Sequence, residues 1–191
     1  KVAGGRGWCD FCYTAPMSDE SPRSVKQPRI ELKNTPRTIG GESQRMFDER
    51  RKELVPEIEK YIESDERFAS QPVTVTFAER GSASLVSVIE TPKGKVVLKI
   101  PLDNSIRGES EFLKIWKQEG VAVPEVIDEG FIGGHPFMLM NYIDASALVT
   151  SRSSEELVQE KIYVDMGRTL RLMHRPVAQG YGRFVDGRGE Y

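Results

Sequence analysis

The spacing of apolar residues along the chain changes from a helical period to a strand period. Between Glu42 and Ser64, apolar residues recur at steps of three and four, which predicts helix; they are Met46, Phe47, Leu54, Ile58, Tyr61 and Ile62. Pro56 lies inside this pattern and would break or kink it, so one helix and two shorter helices are both open. From residue 73 onward the period falls to two, which is typical of strands.

Three short strands follow the helical stretch. They are predicted at Val73–Phe77, Leu85–Ile89 and Val96–Ile100. Gly81-Ser82 supplies the first turn and Pro92-Lys93-Gly94 the second. Because such short connections join antiparallel neighbours, we expect a β-meander.

A helix and two more strands come next. The helix is predicted from about Ser105 to Gln118 and is stopped by Gly120; its apolar positions are Phe112, Leu113, Ile115 and Trp116. Val126–Ile132 and Phe137–Ile143 then predict two strands joined around Gly133-Gly134. The predicted order is therefore strand, strand, strand, helix, strand, strand.

A polar connection from Asp144 to Ser154 leads to a last predicted helix, from Glu155 to His174. One face of this helix is apolar, and its residues are Leu157, Ile162, Met166, Leu170 and Met173. Gly180-Tyr181-Gly182 ends it. We expect an apolar face of this size to need a partner.

Composition narrows the classes of protein to which the chain can belong. It has 191 residues, of which 38% are hydrophobic and 29% charged, and its formal net charge is −2. This balance predicts neither a nucleic-acid partner nor a membrane partner. No apolar run approaches the roughly 18–20 residues that span a bilayer. We therefore expect a soluble cytoplasmic protein.

The first 41 residues differ from the rest. They hold four prolines and few aliphatic residues, so we expect a disordered tail. The basic residues of this tail are interpreted as part of a solvated linker. The alternative is an arm that binds nucleic acid or an acidic partner. Cys9 and Cys12 form one C-x-x-C, and because zinc needs about four ligands, incidental cysteines are favoured over a metal or redox role.

One lysine stands out in the third predicted strand. Lys99 interrupts the apolar run from Val96 to Ile100, and an ammonium that faces inward costs several kcal/mol unless an anion meets it. Glu109 lies ten residues on, in the predicted helix, and could supply the carboxylate. A strand lysine paired with a helix glutamate and aimed at nucleotide phosphates is typical of kinases. The alternative is a surface lysine on an edge strand.

Four segments carry a resemblance to a known family: Gly94–Pro101, Gly120–Val126, Pro136–Met140 and Met166–His174. Together, in this order and spacing, they resemble the aminoglycoside phosphotransferase family, and Gly180-Tyr181-Gly182 is similar to that family's glycine-aromatic-glycine segment. The resemblance implies an α+β fold: a protein-kinase-like N-lobe with a five-stranded antiparallel sheet and one helix, then the first helix of an incomplete helical C-lobe.

The resemblance also divides the chain. Residues 1–41 would be the disordered tail and residues 42–71 a helical segment. Residues 72–143 would be the nucleotide-binding lobe. Residues 144–191 would hold the exit from the hinge and the beginning of a truncated C-lobe.

The resemblance implies a role for each candidate site residue. Lys99 would hold the α- and β-phosphates of the nucleotide, and Glu109 would orient it. Glu109 is preferred to Glu111 because it shares a helix face with Leu113 and Trp116. The hinge would be Asn141, Tyr142 and Ile143, with the backbone C=O of Asn141 and N–H of Ile143 bound to adenine and Met140 bordering the pocket.

The loop that covers the phosphates would consist of Gly81, Ser82, Ala83 and Ser84. It has one glycine where protein kinases have three, which favours a small-molecule kinase. The chain has no G-x-x-x-x-G-K-[ST], so a P-loop enzyme is excluded.

The catalytic loop of the family is not found in these 191 residues. His174-Arg175-Pro176 has proline where the base aspartate would stand, and no asparagine follows it at the metal-binding spacing. His135 lies in a turn between strands, and Asp186-Gly187 is interpreted as a turn. We therefore expect no catalytic and no metal-binding residue here, and interpret the chain as a fragment.

The functional expectation is the nucleotide-binding part of a small-molecule kinase. The full-length enzyme would use Mg²⁺ to transfer the γ-phosphate of ATP or GTP to a hydroxyl of an aminoglycoside-like or other small acceptor. The fragment alone would be inactive. The alternative is a non-catalytic, nucleotide-sensing pseudokinase or an interaction module.

Overall fold

The computed structural model describes residues 29–37, 40–79, 83–102, 106–144, 156–176, 184–185 and 188–189. Their secondary structure runs β1 (Ile30–Lys33), α1 (Glu42–Ser64), β2 (Val73–Phe77), β3 (Ser84–Thr91), β4 (Gly94–Pro101), α2 (Ile106–Gln118), β5 (Val126–Ile132), β6 (His135–Asn141), α3 (Glu156–Met173), β7 (Phe184–Val185) and β8 (Arg188–Gly189). Of the helices in this part of the chain, none is long and apolar enough to cross a membrane.

The first six strands form one sheet in the order β1-β2-β3-β4-β6-β5. The pairs β2–β3, β3–β4, β4–β6 and β5–β6 are antiparallel, and the short turns predicted this for all of them except β4–β6. Gly133 and Gly134 form the two-residue turn between β5 and β6, both with positive φ, a conformation that glycine adopts without steric cost. The predicted order of strands and helices from residue 73 to residue 143 is confirmed.

Strand β1 corrects two of these predictions. The sheet has six strands rather than five, and residues 30–33 lie in a strand rather than in a disordered tail. Ile30 and Leu32 pair in parallel with Val73 and Val75 and pack against the apolar core. The composition of the tail suggested too little apolar surface to become ordered, but the open edge of β2 supplies both hydrogen bonds and burial to this short alternating segment.

Helix α1 is continuous through Pro56, so the alternative of two shorter helices is wrong. Pro56 is exposed, whereas Leu54, Ile58 and Ile62 on the other side of the helix are buried in the core. Burial of this apolar side outweighs the one intrahelical hydrogen bond that proline cannot donate.

The sheet is covered on both faces over its central strands. We call the side that packs against α1 the α1 face and the side that packs against α2 the α2 face. Along β4, Leu98 and Ile100 are fully buried on the α1 face, whereas Val97 packs with the apolar residues of α2. Because strand side chains alternate, Lys99 lies on the α2 face.

A hydrogen bond joins the end of helix α3 to helix α2. The Trp116 indole N–H on α2 donates to the Met173 carbonyl at the end of α3, at 3.1 Å. Large apolar side chains of α3 are exposed, namely Tyr163, Val164, Met166 and Leu170. Met166 and Leu170 were expected on an apolar face of this helix; in the described part of the chain nothing buries them.

Candidate functional site

Lys99 and Glu109 form the centre of the candidate site. Lys99 lies on β4 between Val86 of β3 and Met138 of β6. Its ammonium donates to both carboxylate oxygens of Glu109, with Nζ–O distances of 2.6 Å each. The predicted contact between the strand lysine and the helix glutamate is therefore present.

The pair is half-buried, so a ligand can still reach it. The side chain of Lys99 is 23% exposed and that of Glu109 is 42% exposed. An ammonium carries three N–H donors. Two of them are used in the hydrogen bonds to Glu109, and one remains. Within the described residues no other acceptor contacts Lys99, so an incoming anion would find an ammonium already fixed in place.

The surface-lysine interpretation of Lys99 required an edge strand. Strand β4 is instead an inner strand, paired with β3 and β6. Leu98 and Ile100 are buried on the α1 face, as that interpretation expected, but α2 covers the opposite face, so only 23% of the Lys99 side chain is exposed.

The end of the predicted phosphate loop lies close to Lys99. Gly81 and Ser82 fall outside the described residues, but Ala83 and Ser84 are described. Ser84 begins β3 opposite Pro101. This is two residue pairs beyond the Val86–Lys99 pair, and therefore on the same face. The Ala83 carbonyl accepts a hydrogen bond from the Leu102 N–H at 3.0 Å, which ties the end of the loop to the end of β4.

The predicted hinge lies at the end of β6. Asn141 is its last residue, and its side-chain Oδ1 accepts a hydrogen bond from the Glu125 N–H at 2.6 Å. Its own N–H donates to the Glu125 carbonyl at 3.0 Å. Tyr142 and Ile143 follow and are partly exposed. Among the described residues, none forms a hydrogen bond with the backbone of Ile143.

Met140 lies on the α2 face close to this segment. It is 8% exposed and packs with Leu113 and Met138. The structure thus places Met140 between the Lys99 pair and the hinge, as an apolar wall. His174 is exposed just after α3. Asp186 lies outside the described residues.

Sequence reasoning missed a second polar group under α2. The Ser110 hydroxyl donates to Glu129 at 2.8 Å, and the Lys114 ammonium also contacts the Glu129 carboxylate. Burial alone would raise the pKa of Glu129, but hydrogen bonds from Lys114 and Ser110 outweigh it and leave the pKa below its usual value. The spacing of Ser110 and Lys114, four residues apart on one helix side, is the one signal that could have suggested a shared partner.

No group of three or more histidine, cysteine, aspartate or glutamate side chains suited to a metal ion occurs in the part of the chain that the structure describes. Cys9 and Cys12 lie outside it.

Comparison with known proteins decides the family. The sequence model of the phosphotransferase enzyme family, APH, matches residues 74–180, which is more than half of the chain. The chain belongs to this family. No curated protein matches the sequence.

The crystal structure of aminoglycoside phosphotransferase APH(4)-Ia is similar in fold. The two chains share 15% sequence identity with a TM-score of 0.50, and the match covers 71% of this chain and 46% of that one. At this identity the likeness establishes a common kinase-like fold and no more. The chain thus spans less than half the length of that phosphotransferase, and its matched family region begins at β2, after β1 and α1.

Proposed function

We propose that this chain is the nucleotide-binding part of a small-molecule kinase. The full-length phosphotransferase would transfer the γ-phosphate of ATP or GTP to a hydroxyl of an aminoglycoside-like or other small acceptor. The observation that carries the proposal is the Lys99–Glu109 pair, with both Nζ–O distances at 2.6 Å, in a chain of the phosphotransferase family.

Lys99 is assigned to the α- and β-phosphates. Charge-assisted hydrogen bonds to phosphate oxygens are among the strongest in proteins. Glu109 fixes the lysine side chain before the nucleotide arrives, so less side-chain entropy is lost on binding. The exposed fraction of Lys99, 23%, is consistent with access from the side that α2 leaves open.

The hinge is assigned to the adenine or guanine base. The N–H of Ile143 and the C=O of Asn141 would supply one donor and one acceptor at the base edge. Met140 supports this assignment because it offers an apolar surface, 8% exposed, next to the hinge. Ala83 and Ser84, with Gly81 and Ser82, would cover the phosphates with backbone N–H groups and hydroxyls.

Mg²⁺ is implied by the family, but the described residues do not supply a site for it. The 191 residues also lack the H-x-D-x-x-x-x-N pattern of the catalytic loop. Both the metal site and the base aspartate are assigned to the full-length enzyme, and we expect this chain alone to transfer no phosphate above background.

The test compares nucleotides that have and lack phosphates. The purified 191-residue chain is titrated calorimetrically with ADP, ATP, GTP and adenosine. We expect dissociation constants between roughly micromolar and millimolar. Lys99→Ala should weaken ADP binding about ten- to hundredfold, the range for a charged hydrogen bond, and should leave adenosine binding unchanged.

Lys93→Ala is the matched control, because Lys93 is an exposed lysine in the β3–β4 turn; it should leave both affinities unchanged. Equal loss of ADP and adenosine binding in Lys99→Ala would contradict the phosphate assignment. Absence of all nucleotide binding at millimolar concentration would favour an interaction module instead. Transfer of labelled γ-phosphate by this chain would overturn the assignment of the catalytic base to residues outside it.

A further inference from the structure

Three residues lie side by side across the α2 face, directly under helix α2. Met138 of β6 pairs with Lys99 of β4 on one side and with Glu129 of β5 on the other. Met138 is fully buried. Because neighbouring strands are about 4.8 Å apart, the lysine and the glutamate are separated by roughly 10 Å of sheet. Helix α2 therefore meets two separate charged groups with an apolar residue between them.

Helix α2 presents side chains that contact each of these two charged residues. Glu109 reaches Lys99, and the next residue, Ser110, donates to Glu129 at 2.8 Å. Lys114, one turn further along the same side, contacts Glu129 and also Glu111 at 3.3 Å. Because Glu109 and Ser110 are consecutive on α2, a movement of this helix away from the sheet that separates one pair also separates the other.

A bulge in β5 brings Glu129 to this face. The register between β5 and β6 shifts between Val126 and Asp128. Val126 packs with the α2-face residues, and strict alternation from it would place Glu129 on the α1 face. With the bulge, Asp128 points to the α1 side, where it contacts Tyr61 at 3.3 Å, and Glu129 points to α2. Bulges often re-aim a side chain close to a functional site.

The Lys99–Glu109 pair contributes little by itself to holding the helix, since Glu109 is 42% exposed and half-exposed ion pairs are weak. Helices at this position of a kinase-like lobe can also move away from the sheet. A second attachment on the far side of Met138 would oppose that movement.

We infer that Glu129 is a positioning residue: through Ser110 and Lys114 it holds α2 close enough to the sheet for Glu109 to reach Lys99. Glu129 thereby sets the affinity for the phosphates of a nucleotide without touching them. The inference rests on the proposed function, because it takes Lys99 as the phosphate ligand.

The test is a double-mutant cycle on ADP binding. Glu129→Ala should weaken ADP at least about threefold and leave adenosine unchanged. In a Lys99→Ala background the same substitution should have no further effect, because there is no lysine left to position. Glu129→Gln keeps an acceptor for Ser110 and should retain part of the affinity. If Glu129→Ala does not fold by circular dichroism, Ser110→Ala replaces it in the cycle.

The matched control is Glu125→Ala. Glu125 also pairs with an α2 lysine, Lys117, but at 3.7 Å and with 67% of its side chain exposed, so its removal should change nothing. If Glu129→Ala weakens ADP and adenosine equally, or still weakens ADP without Lys99, the inference is overturned. If Lys99→Ala weakens ADP and Glu129→Ala does not, the inference fails while the proposed function stands.

A second measurement needs no nucleotide. It therefore distinguishes failure of the Glu129 inference from failure of the proposed function. The NMR signal of the Lys99 Nζ in the free protein should move in Glu129→Ala toward its position in Glu109→Ala. An unmoved signal contradicts the inference even if the chain binds no ADP at all.

Discussion

The two faces of the central sheet are built from different chemistry. On the α1 face, sixteen buried apolar residues form one continuous core among the described residues. On the α2 face the buried apolar cluster formed by the described residues has three members, Leu113, Met138 and Met140, and Lys99 and Glu129 flank Met138. One side of the sheet therefore supplies stability, while the other keeps charged groups fixed but accessible.

The two faces also differ in how much of each lies inside the family match. The matched region, residues 74–180, contains every candidate nucleotide-binding residue on the α2 face. Helix α1 and strand β1 lie before it. The side that holds the fold together is therefore built partly by a segment outside the family match.

The largest difference between the two faces is expected from a pair of substitutions on neighbouring strands. Leu98 and Met138 are both fully buried, but they face α1 and α2 respectively. Leu98→Ala should cost about 3–5 kcal/mol of unfolding free energy and Met138→Ala about 2–3 kcal/mol, because the smaller cluster can collapse more easily around the cavity.

Urea unfolding monitored by circular dichroism measures both. If Leu98→Ala is too unstable to purify, Ile100→Val on the same face should still cost about 1 kcal/mol. A larger loss for Met138→Ala than for Leu98→Ala would reverse the assignment of stability to the α1 face.

A smaller effect is expected from the charges of the α2 face. The pKa of Glu129 is below its usual value in the folded chain, because hydrogen bonds from Lys114 and Ser110 outweigh its burial and the nearby charge of Asp128. Its contribution to stability is therefore present above its unfolded pKa and is lost as pH falls through the lowered one. The pKa of Lys114 is raised, chiefly by its hydrogen bond to Glu129, so that contribution is lost at alkaline pH.

The free energy of unfolding should fall less between about pH 5 and pH 3 in Glu129→Gln than in the unchanged chain. The difference should be no more than about 1 kcal/mol, because the side chains of Lys114 and Glu129 are both more than a third exposed. Unfolding curves at a series of pH values measure this. Parallel curves for Glu129→Gln and the unchanged chain would contradict it.

The smallest effect is expected for an ion pair on neither face. Arg45 and Glu49 lie on the solvent side of α1, with 68% and 52% of their side chains exposed. Arg45→Ala should cost at most about 0.5 kcal/mol, because the order arginine before glutamate is the less favourable one on a helix. A cost above that of Glu129→Gln at pH 7 would remove the distinction between the α2 face and the general surface.

Much of this arrangement could be predicted from local patterns. The period-two strands and the lone lysine in an apolar strand were sufficient to expect the Lys99–Glu109 contact. Strand β1 was not predicted, because its stability comes from pairing with β2, some forty residues away, and composition contains no information about that edge.

Glu129 could not be predicted for a similar reason. Alternation in the sequence from Val126 assigns it to the α1 face, and only the bulge moves it to α2. A bulge is set by how two strands pair, so the residues of one strand do not reveal it. Its partners Ser110 and Lys114 are close to it only in the folded chain.

The stacking of Trp116 has an optical consequence. Its ring lies 5.2 Å from that of Phe112, and its indole N–H is bonded to the end of α3. The chain has one other tryptophan, Trp8, so Trp8→Phe leaves a single indole fluorophore on the same helix as Glu109. The emission wavelength of that fluorophore depends on the water around the indole, which makes Trp116 a built-in reporter of whether α2 is seated on the sheet.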